Sequence, residues 1–418
     1  MHIVQLANFY GPRSGGLRTA VDQLGAGYVG RGHRVTLVVA GTGHDQETLD
    51  SGVHRIVVPG GRFFALEGYR AANAVGIRRL LPRLAPDSLE VSDRLTLRGM
   101  GPWAKARGIG SIMISHERLD RMIELGAPKA LARWASDVAN LGTARSYDTV
   151  VCTTAFAGAE FARVHAPNVE TVPLGVDLDT FDPSRAATRA DYAPDTDVLL
   201  VQSCRLSMEK HPARGIEVLR ALLDDGVPAH LVVAGDGAMA DELRRQAAGL
   251  PVTFTGHVAD RDSLARLLAT ADVAICPGPH ETFGLSAMET LASGTPIVVS
   301  RNSALVDVVA GGCGLPAADT GSAFAAATRS ILQRDKSFYR TRARIRAEEF
   351  TWDRAVERML ELHSATADRR AFLRGTPAIA PTTLGAWPAS RGGRPRRGRR
   401  APASGRAATA PDYRDRAR

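Results

Sequence analysis

Aromatic residues are scarce in this chain, 6% of 418, and cysteines scarcer still, four in all. Cys152, Cys204, Cys276 and Cys313 lie far apart and form no C-x-x-C pair. That excludes a legible disulfide framework or zinc-finger spacing. Each instead falls beside an apolar run, where a small thiol packs well, and a reducing cytoplasm is the expected compartment. Long hydrophobic runs are missing too: no stretch approaches the roughly 20 apolar residues that span a bilayer. The N-terminus enters a strand-like run at once, His2-Ile3-Val4-Gln5-Leu6-Ala7. It shows neither the basic segment nor the long apolar core of a signal peptide.

The charge balance also lacks something once it is located. The chain carries 53 basic and 44 acidic residues, a net of +9. From Thr366 onward there are 13 arginines against 3 aspartates, which leaves 40 basic and 41 acidic residues in the body. The body is therefore nearly neutral, and the basicity is a property of the end of the chain rather than of the fold. No specific nucleic-acid partner is expected. After Arg370 the composition turns to Pro, Gly, Ala and Arg, and residues 366–418 read as a basic disordered tail. A solvated extension and a contact with RNA or anionic lipid are both open readings of it.

What is present is an alternation. At 44% apolar residues and 418 residues, two or three domains are expected. In the first half, strand patterns at 3–7, 35–40, 55–58, 89–91, 112–115, 150–153 and 171–172 are separated by helical patterns such as 17–30 and 75–84. The second half repeats the style, with strands at 198–203, 230–234, 252–255, 273–276 and 296–300 and helices at 215–223, 241–248, 263–269 and 284–292. Strands apolar on both faces and separated by helices predict parallel sheets covered on both sides. The fold class is α/β, with two doubly wound Rossmann-like domains. The turn-rich run Pro173-Leu174-Gly175-Val176-Asp177 marks the boundary. Residues 350–363 form a last amphipathic helix with Trp352, Ala355, Val356, Met359 and Leu362 on one face.

In such proteins the ligand sits at the carboxyl ends of the strands. Gly11-Pro12-Arg13-Ser14-Gly15-Gly16 follows the first strand and precedes the first helix, where glycines admit a close ligand and the helix N-terminus favours an anion. A plain strand–helix turn is the bland alternative, and the pattern is not a G-x-G-x-x-G fingerprint. Arg205 and Lys210 lie in the loop after the first strand of the second domain, where a guanidinium fork and a point charge suit a diphosphate. A surface pair with Glu209 is the alternative. The strongest feature is His280-Glu281-Thr282-Phe283-Gly284-Leu285-Ser286-Ala287-Met288-Glu289, running on to Gly294-Thr295-Pro296. It places Glu281 in a loop, Gly284 at a helix start and Glu289 inside that helix. Carboxylates at Glu281 and Glu289 suit sugar and ribose hydroxyls.

This run, Glu281-x7-Glu289 within E-T-F-G-L-S-A-M-E-T-L-A-S-G-T-P-I-V, resembles the signature of the family-four retaining glycosyltransferases. The N-terminal double glycine, the Arg205/Lys210 pair, the Pro173–Asp177 hinge and a closing helix with Trp352 are similar to the same family, across about residues 1–365. The resemblance implies the GT-B arrangement, two domains facing across a cleft. An N-terminal acceptor domain would take residues 1–172 plus 350–365, and a nucleotide-sugar domain residues 173–349. It implies that Arg205 and Lys210 hold the donor's diphosphate and Glu289 the ribose. Glu281 and the backbone of Phe283, Gly284 and Leu285 would hold the transferred sugar. Gly15 and Gly16 would lie near phosphate and acceptor, and His116 beside the reacting centre. His211 departs from the family, which commonly has glycine after the lysine.

The implied activity is retaining transfer of a hexose from a nucleoside-diphosphate sugar to an acceptor hydroxyl, giving an α-linked product. GDP-mannose is the expected donor, on resemblance to mannosyltransferases of the family. UDP-glucose or UDP-N-acetylglucosamine transfer, a sugar-nucleotide epimerase and a non-catalytic nucleotide-binding protein are the alternatives. No metal and no cofactor beyond the sugar nucleotide is implied. Asp177-Leu178-Asp179 is formally a D-x-D, but it falls at the hinge and is not assigned a metal. The acceptor is expected to be a glycan, a glycolipid or a small molecule. The helix at 75–84 sets Arg78, Arg79 and Arg83 beside apolar residues, so peripheral contact with the inner face of a membrane is an open reading, with an ordinary amphipathic helix as the alternative.

Overall fold

The apolar runs fold into two separate sheets. The computed structural model describes residues 1–11, 15–62, 70–124, 126–194 and 197–375, and residues 1–376 form one compact unit. Among the described residues the first sheet contains β1 (His2–Ala7), β2 (Arg34–Gly41), β3 (Asp45–Thr48), β4 (His54–Arg62), β5 (Arg70–Ala72), β6 (Ser88–Val91), β7 (Gly110–Ser115), β8 (Thr149–Cys152) and β9 (Val169–Thr171). Their order is β3-β4-β2-β1-β6-β7-β8-β9, with β5 beside β4. The second sheet contains β10 (Val198–Ser203), β11 (Ala229–Ala234), β12 (Val252–Gly256), β13 (Val273–Cys276), β14 (Ile297–Ser300) and β15 (Gly314–Ala317). Their order is β12-β11-β10-β13-β14-β15, parallel throughout.

Burial of both sheet faces explains why these strands read as unbroken apolar runs: every residue of β1, β6 and β7 is buried. In each sheet the strand order reverses beside the first strand, between β1 and β6 and between β10 and β13. Such a switch point opens a crevice at the carboxyl ends of the strands. The loops after β10 and β13 are those that carry Arg205, Lys210 and Glu281, so topology alone brings these residues to one crevice.

The first sheet is not wholly parallel. β3 and β5 both pair antiparallel with β4. All four residues of β3, Asp45-Gln46-Glu47-Thr48, are exposed, so an edge strand with no apolar face leaves no pattern to read. The 18-residue helix Lys129–Ser146 is likewise absent from the sequence-based expectations. Its buried side is made of Ala, Ser, Asn and Thr, and gives no apolar stripe of the inward kind.

The chain crosses between the sheets twice, side by side. Val176 donates its N–H to the Phe350 carbonyl at 3.0 Å and forms a bridge with Thr351. The last helix then runs over the first sheet from Trp352 to Gly375, burying Ala355, Val356, Met359, Leu362, His363 and Thr366. Gly27 permits the close approach: a Cβ there would stand 2.3 Å from Val356 Cγ2. The expected start of a disordered tail at residue 366 is therefore corrected. Thr366 is buried and bonds back to the Leu362 carbonyl, and Arg370 pairs with Asp148. Arginine and alanine are good helix formers, so a change of composition did not end the helix. The rest of the expected tail, residues 376–418, lies outside the described residues, as do Pro12, Arg13 and Ser14.

One buried polar cluster ties this helix down. His363 sets Nε2 3.0 Å from Glu90 Oε2 and Nδ1 2.8 Å from Ser88 Oγ. Glu90 also accepts from Tyr28 Oη at 2.7 Å and Gln5 Nε2 at 2.8 Å. Burial alone would raise the Glu90 carboxyl, but these partners outweigh it and hold its pKa below the ordinary glutamate value. The stabilisation is thus full above the ordinary glutamate range and is lost as pH falls through the lowered folded value. His363→Ala, which leaves Glu90 charged and short of a partner, should cost about 3 kcal/mol or more, read as a fall in the urea midpoint at pH 7. An unchanged midpoint would show that the helix is held by its apolar face alone.

Candidate active site

The cleft-facing loop after β10 contains Arg205, then a short turn at Met208–Lys210. Behind it, the Asp236 carbonyl accepts from Leu206 N–H at 3.0 Å. Lys210 points inward and places Nζ 2.6 Å from Glu281 Oε1. Burial would depress the ammonium, but the Glu281 carboxylate outweighs it and the lysine pKa stands above its ordinary value. Arg205 is half-exposed, 3.6 Å from Glu209. Lys210, Glu281, Gly284, Ser286 and Ala287 line a small cavity with Cys204 and Cys276. Burial pushes the Cys204 thiol up to about 12, so Lys210 faces a carboxylate and a neutral thiol rather than two anions.

The helix Leu285–Ala292 starts at this cavity. Gly284 caps it in the left-handed region, φ +75°, and a Cβ there would meet Leu305 at 3.0 Å. Glycine is thus required on two counts. The unsatisfied N–H groups of a helix start suit phosphate or hydroxyl oxygens. Phe283 is buried and stacks edge-to-face on Phe350 at 5.9 Å, which leaves its backbone, not its ring, for the site. Glu289 is buried just over one turn into the helix. Burial raises its carboxyl pKa, against the pull of Arg261, whose Nη2 lies 3.0 Å from Glu289 Oε1. Arg261 in turn stacks over Phe181 at 4.7 Å.

The first sheet supplies the opposite wall. Gly15 precedes the helix Gly16–Gly30, and a Cβ on Gly16 would stand 3.5 Å from Leu285, so the glycine turn faces the start of the second-sheet helix. His116 follows β7. Its backbone carbonyl accepts from Thr282 Oγ1 at 2.5 Å, and the Thr282 carbonyl accepts from Thr154 Oγ1 at 2.7 Å. Burial keeps the His116 imidazole neutral, lowering its pKa to about 4, and its buried Nε2 makes no hydrogen bond within the protein. The loop behind it is held by a buried pair, Arg94 with Glu160, and Glu160 also accepts from Leu119 N–H at 3.0 Å.

The structure thus gathers His116, Gly16, Lys210, Glu281, Gly284 and Leu285 along one crevice, with Arg205 on the same loop as Lys210 and Glu289 buried further along the helix that starts there. Sequence reasoning missed Thr154, Thr282, Arg94, Glu160 and Arg261. Thr282 lay inside the quoted motif, but nothing in its spacing announced a hydrogen bond to the other sheet. Arg261 follows Asp260, an N-cap that bonds Ser263 N–H, and reads locally as an ordinary helix start. Asp177 accepts from Asp179 and Thr180 N–H groups. It caps the hinge turn. Among the described residues no group of three or more His, Cys, Asp or Glu side chains is placed to hold a metal ion.

His211 occupies the left-handed region, φ 49° and ψ 49°, which explains why glycine suits the position after the lysine. His211→Gly should relieve about 1 kcal/mol of backbone strain and raise the unfolding temperature. A lower temperature would mean that the imidazole makes compensating contacts. A neutral His116 should show no imidazole titration between pH 5 and 8 by NMR. Folding should lose stability as pH falls from about 6.5 towards 4, because the unfolded chain binds that proton first. A resonance titrating near pH 6.5 would contradict the burial.

Comparison with known proteins places this geometry. The Glycosyltransferase Family 4 profile matches residues 14–180, and the Glycosyl transferases group 1 profile matches residues 198–334. A GDP-mannose-dependent alpha-(1-6)-phosphatidylinositol dimannoside mannosyltransferase of Mycobacterium tuberculosis is 52% identical over 369 residues, 88% of this chain and 97% of that protein. A GDP-mannose-dependent alpha-mannosyltransferase of Mycolicibacterium smegmatis is 30% identical over 49% of this chain and 54% of its own length. Among solved structures, sucrose-phosphate synthase of Thermosynechococcus elongatus superposes with TM-score 0.73 at 21% identity, over 89% of this chain and 99% of that one. Anabaena HepE with UDP and glucose superposes at TM-score 0.69 and 16% identity, over 87% and 99%. Two doubly wound sheets, a crevice at their switch points and both profile matches agree: the chain belongs to glycosyltransferase family 4, as a retaining hexosyltransferase of the GT-B fold.

Proposed function

We propose that this enzyme transfers a mannosyl residue from GDP-mannose to a hydroxyl of a mannosylated phosphatidylinositol, forming an α-1,6 linkage at a membrane surface. The observation that carries this reading is the 52% identity to the mycobacterial enzyme of that name over nearly its whole length. No helix among the described residues is long and apolar enough to cross a membrane, and a lipid-borne acceptor then calls for contact with the bilayer from outside.

The site residues support a division of labour. The bond from the mannosyl anomeric carbon to the β-phosphate oxygen breaks, and charge collects on the departing diphosphate. Lys210, Arg205 and the start of the helix Leu285–Ala292 would stabilise that charge. In the free enzyme Glu281 neutralises Lys210. On binding, the diphosphate takes that role and Glu281 turns to sugar hydroxyls. Glu289 exchanges Arg261 for the ribose hydroxyls. The acceptor hydroxyl attacks the same face that the leaving group vacates. Its proton passes to the released phosphate oxygen, which balances the step without a separate protein base. His116, neutral and with Nε2 unpartnered in the protein, is suited to a hydroxyl of the transferred sugar, where an imidazolium would oppose the positive charge developing at carbon 1.

The test is binding and turnover of GDP-mannose, UDP-glucose, UDP-N-acetylglucosamine and UDP-galactose, with phosphatidylinositol dimannoside as acceptor, in EDTA. GDP-mannose alone should be turned over. Lys210→Ala should lower kcat by about 10²- to 10³-fold. Glu289→Ala should raise the donor KM about tenfold or more, since a charged hydrogen bond is lost. Selective turnover of a UDP sugar would overturn the donor, and loss of activity in EDTA would overturn the metal-free mechanism.

A further inference from the structure

The helix Lys129–Ser146 is amphipathic the wrong way round. Its buried residues are Ala132, Ser136, Asn140, Thr143 and Ala144, all small or polar. Its solvent side presents Leu131, Trp134 and Val138, exposed by 52%, 65% and 54%. Spaced i, i+3 and i+7, these three form one stripe. Met122, exposed on the adjoining helix Leu119–Glu124, extends the apolar surface. The exposed charges of the long helix are Lys129, Arg133 and Arg145. Its one acid, Asp137, is engaged by Arg163 at 2.7 Å. The apolar stripe centres on Trp134, and Lys129 and Arg133 lie at the same end of the helix, turned more than a quarter turn away from it, with no exposed acid on that helix; such a stripe has no use in folding.

Its position matters. β7 and β8 pair in parallel, so the segment between them must return from the carboxyl edge of the sheet to the amino edge. It leaves the cleft at His116, passes through Leu119–Glu124, and begins the long helix at Lys129. Arg121 and Glu124 lie close enough to act on the charge of His280 in the opposite loop. The Leu131–Trp134 end of the stripe is therefore at the cleft rim, and the Arg145 end is remote from it. The helix Ala74–Leu84, whose arginines suggested lipid contact from sequence alone, is different: Ile77 and Leu81 are buried in the core, and Arg78 donates to the Gly99 carbonyl at 3.0 Å.

We propose that the face formed by Leu131, Trp134, Val138 and Met122 docks on an anionic phospholipid bilayer, with Lys129 and Arg133 a helix width behind it and still within reach of the surface charge, and presents the cleft to a lipid-borne acceptor. Trp favours the interface between headgroup and chain, where its ring is buried and its N–H stays wet. The aliphatic residues add buried apolar area. The bases are attracted to anionic headgroups, and apolar insertion combined with charge gives binding that neither alone sustains. The proposal rests on the lipid-acceptor reading above for its purpose, but not for its test.

The test is flotation of the full chain with vesicles that contain no acceptor, either phosphatidylcholine alone or with a third of phosphatidylinositol. Wild type should float with the anionic vesicles and much less with the neutral ones, and should be released by high salt. Trp134→Glu and Leu131→Glu should each abolish flotation. Lys129→Gln and Arg133→Gln should each weaken it about fivefold. Val75→Glu, an equally exposed position on the helix Ala74–Leu84, should leave it unchanged. All variants should keep GDP-mannose turnover on a detergent-dispersed acceptor, which shows that they fold. Flotation that survives Trp134→Glu, or that is lost in Val75→Glu instead, would overturn the proposal. So would a wild type that ignores vesicles but forms Trp134-dependent dimers. If flotation behaves as stated while no lipid acceptor is mannosylated, the docking face stands and the acceptor reading fails.

Discussion

Thr282 is the point on which the two sheets agree. Its hydroxyl donates to the His116 carbonyl and its carbonyl accepts from Thr154, so one residue of the second sheet's motif loop is bonded twice to the first sheet. Its neighbours in sequence are Glu281, paired with Lys210, and Phe283, packed on Phe350. Through three consecutive residues the loop fixes a charge pair, a contact between sheets and a place in the core. The crevice is only as well defined as this loop, because His116 on one wall and Glu281 on the other belong to separate sheets and meet by no covalent route. A neutral hydrogen bond contributes on the order of 1 kcal/mol, weak enough to be exchanged when the sheets move and strong enough to favour one register when they are together.

The charges on the second wall follow one rule. Lys210 and Glu281 are a largely buried pair, while in the second pair the buried Glu289 carboxylate faces an exposed Arg261. A buried charge without a partner is costly, and a pair offsets much of that cost. Both pairs involve residues that the family resemblance assigns to the donor. In the free protein each therefore satisfies the other, and on the proposed donor assignment a ligand bearing a diphosphate and a ribose would compete for both. Discrimination then depends on how well the ligand replaces the internal partner, which favours a doubly charged diphosphate with vicinal hydroxyls over a smaller anion.

Legibility in the sequence followed burial. Strands covered on both faces, such as β10 and β13, were readable to the residue, because a short apolar run between turn signals fits little besides a buried strand. β3, made of Asp, Gln, Glu and Thr, was not, since its place is set by edge pairing with β4 rather than by its own side chains. The 281–289 motif was readable because it sets one carboxylate in the loop before a glycine-capped helix and a second inside that helix. The partners of those residues were not. Arg261, Thr154 and Glu160 are distant in sequence, and a contact between distant positions leaves no local period. The end of the last helix escaped for a related reason: Arg370 reads as part of a basic tail until Asp148, 222 residues away, is seen beside it.

The same logic separates the two helices of the first sheet that carry basic residues. Arginines beside aliphatic residues describe both Ala74–Leu84 and Lys129–Ser146, and composition cannot tell an inward apolar face from an outward one. What decides is the partner surface. The first helix covers the core with Ile77 and Leu81. The second meets the fold through Ala132, Ser136 and Asn140, residues small enough to let it lie close, and so leaves its large side chains on the far side. An apolar stripe turned to water lowers solubility and contributes nothing to the fold. Its persistence beside the rim of a cleft is explained by a surface that covers it while the enzyme works.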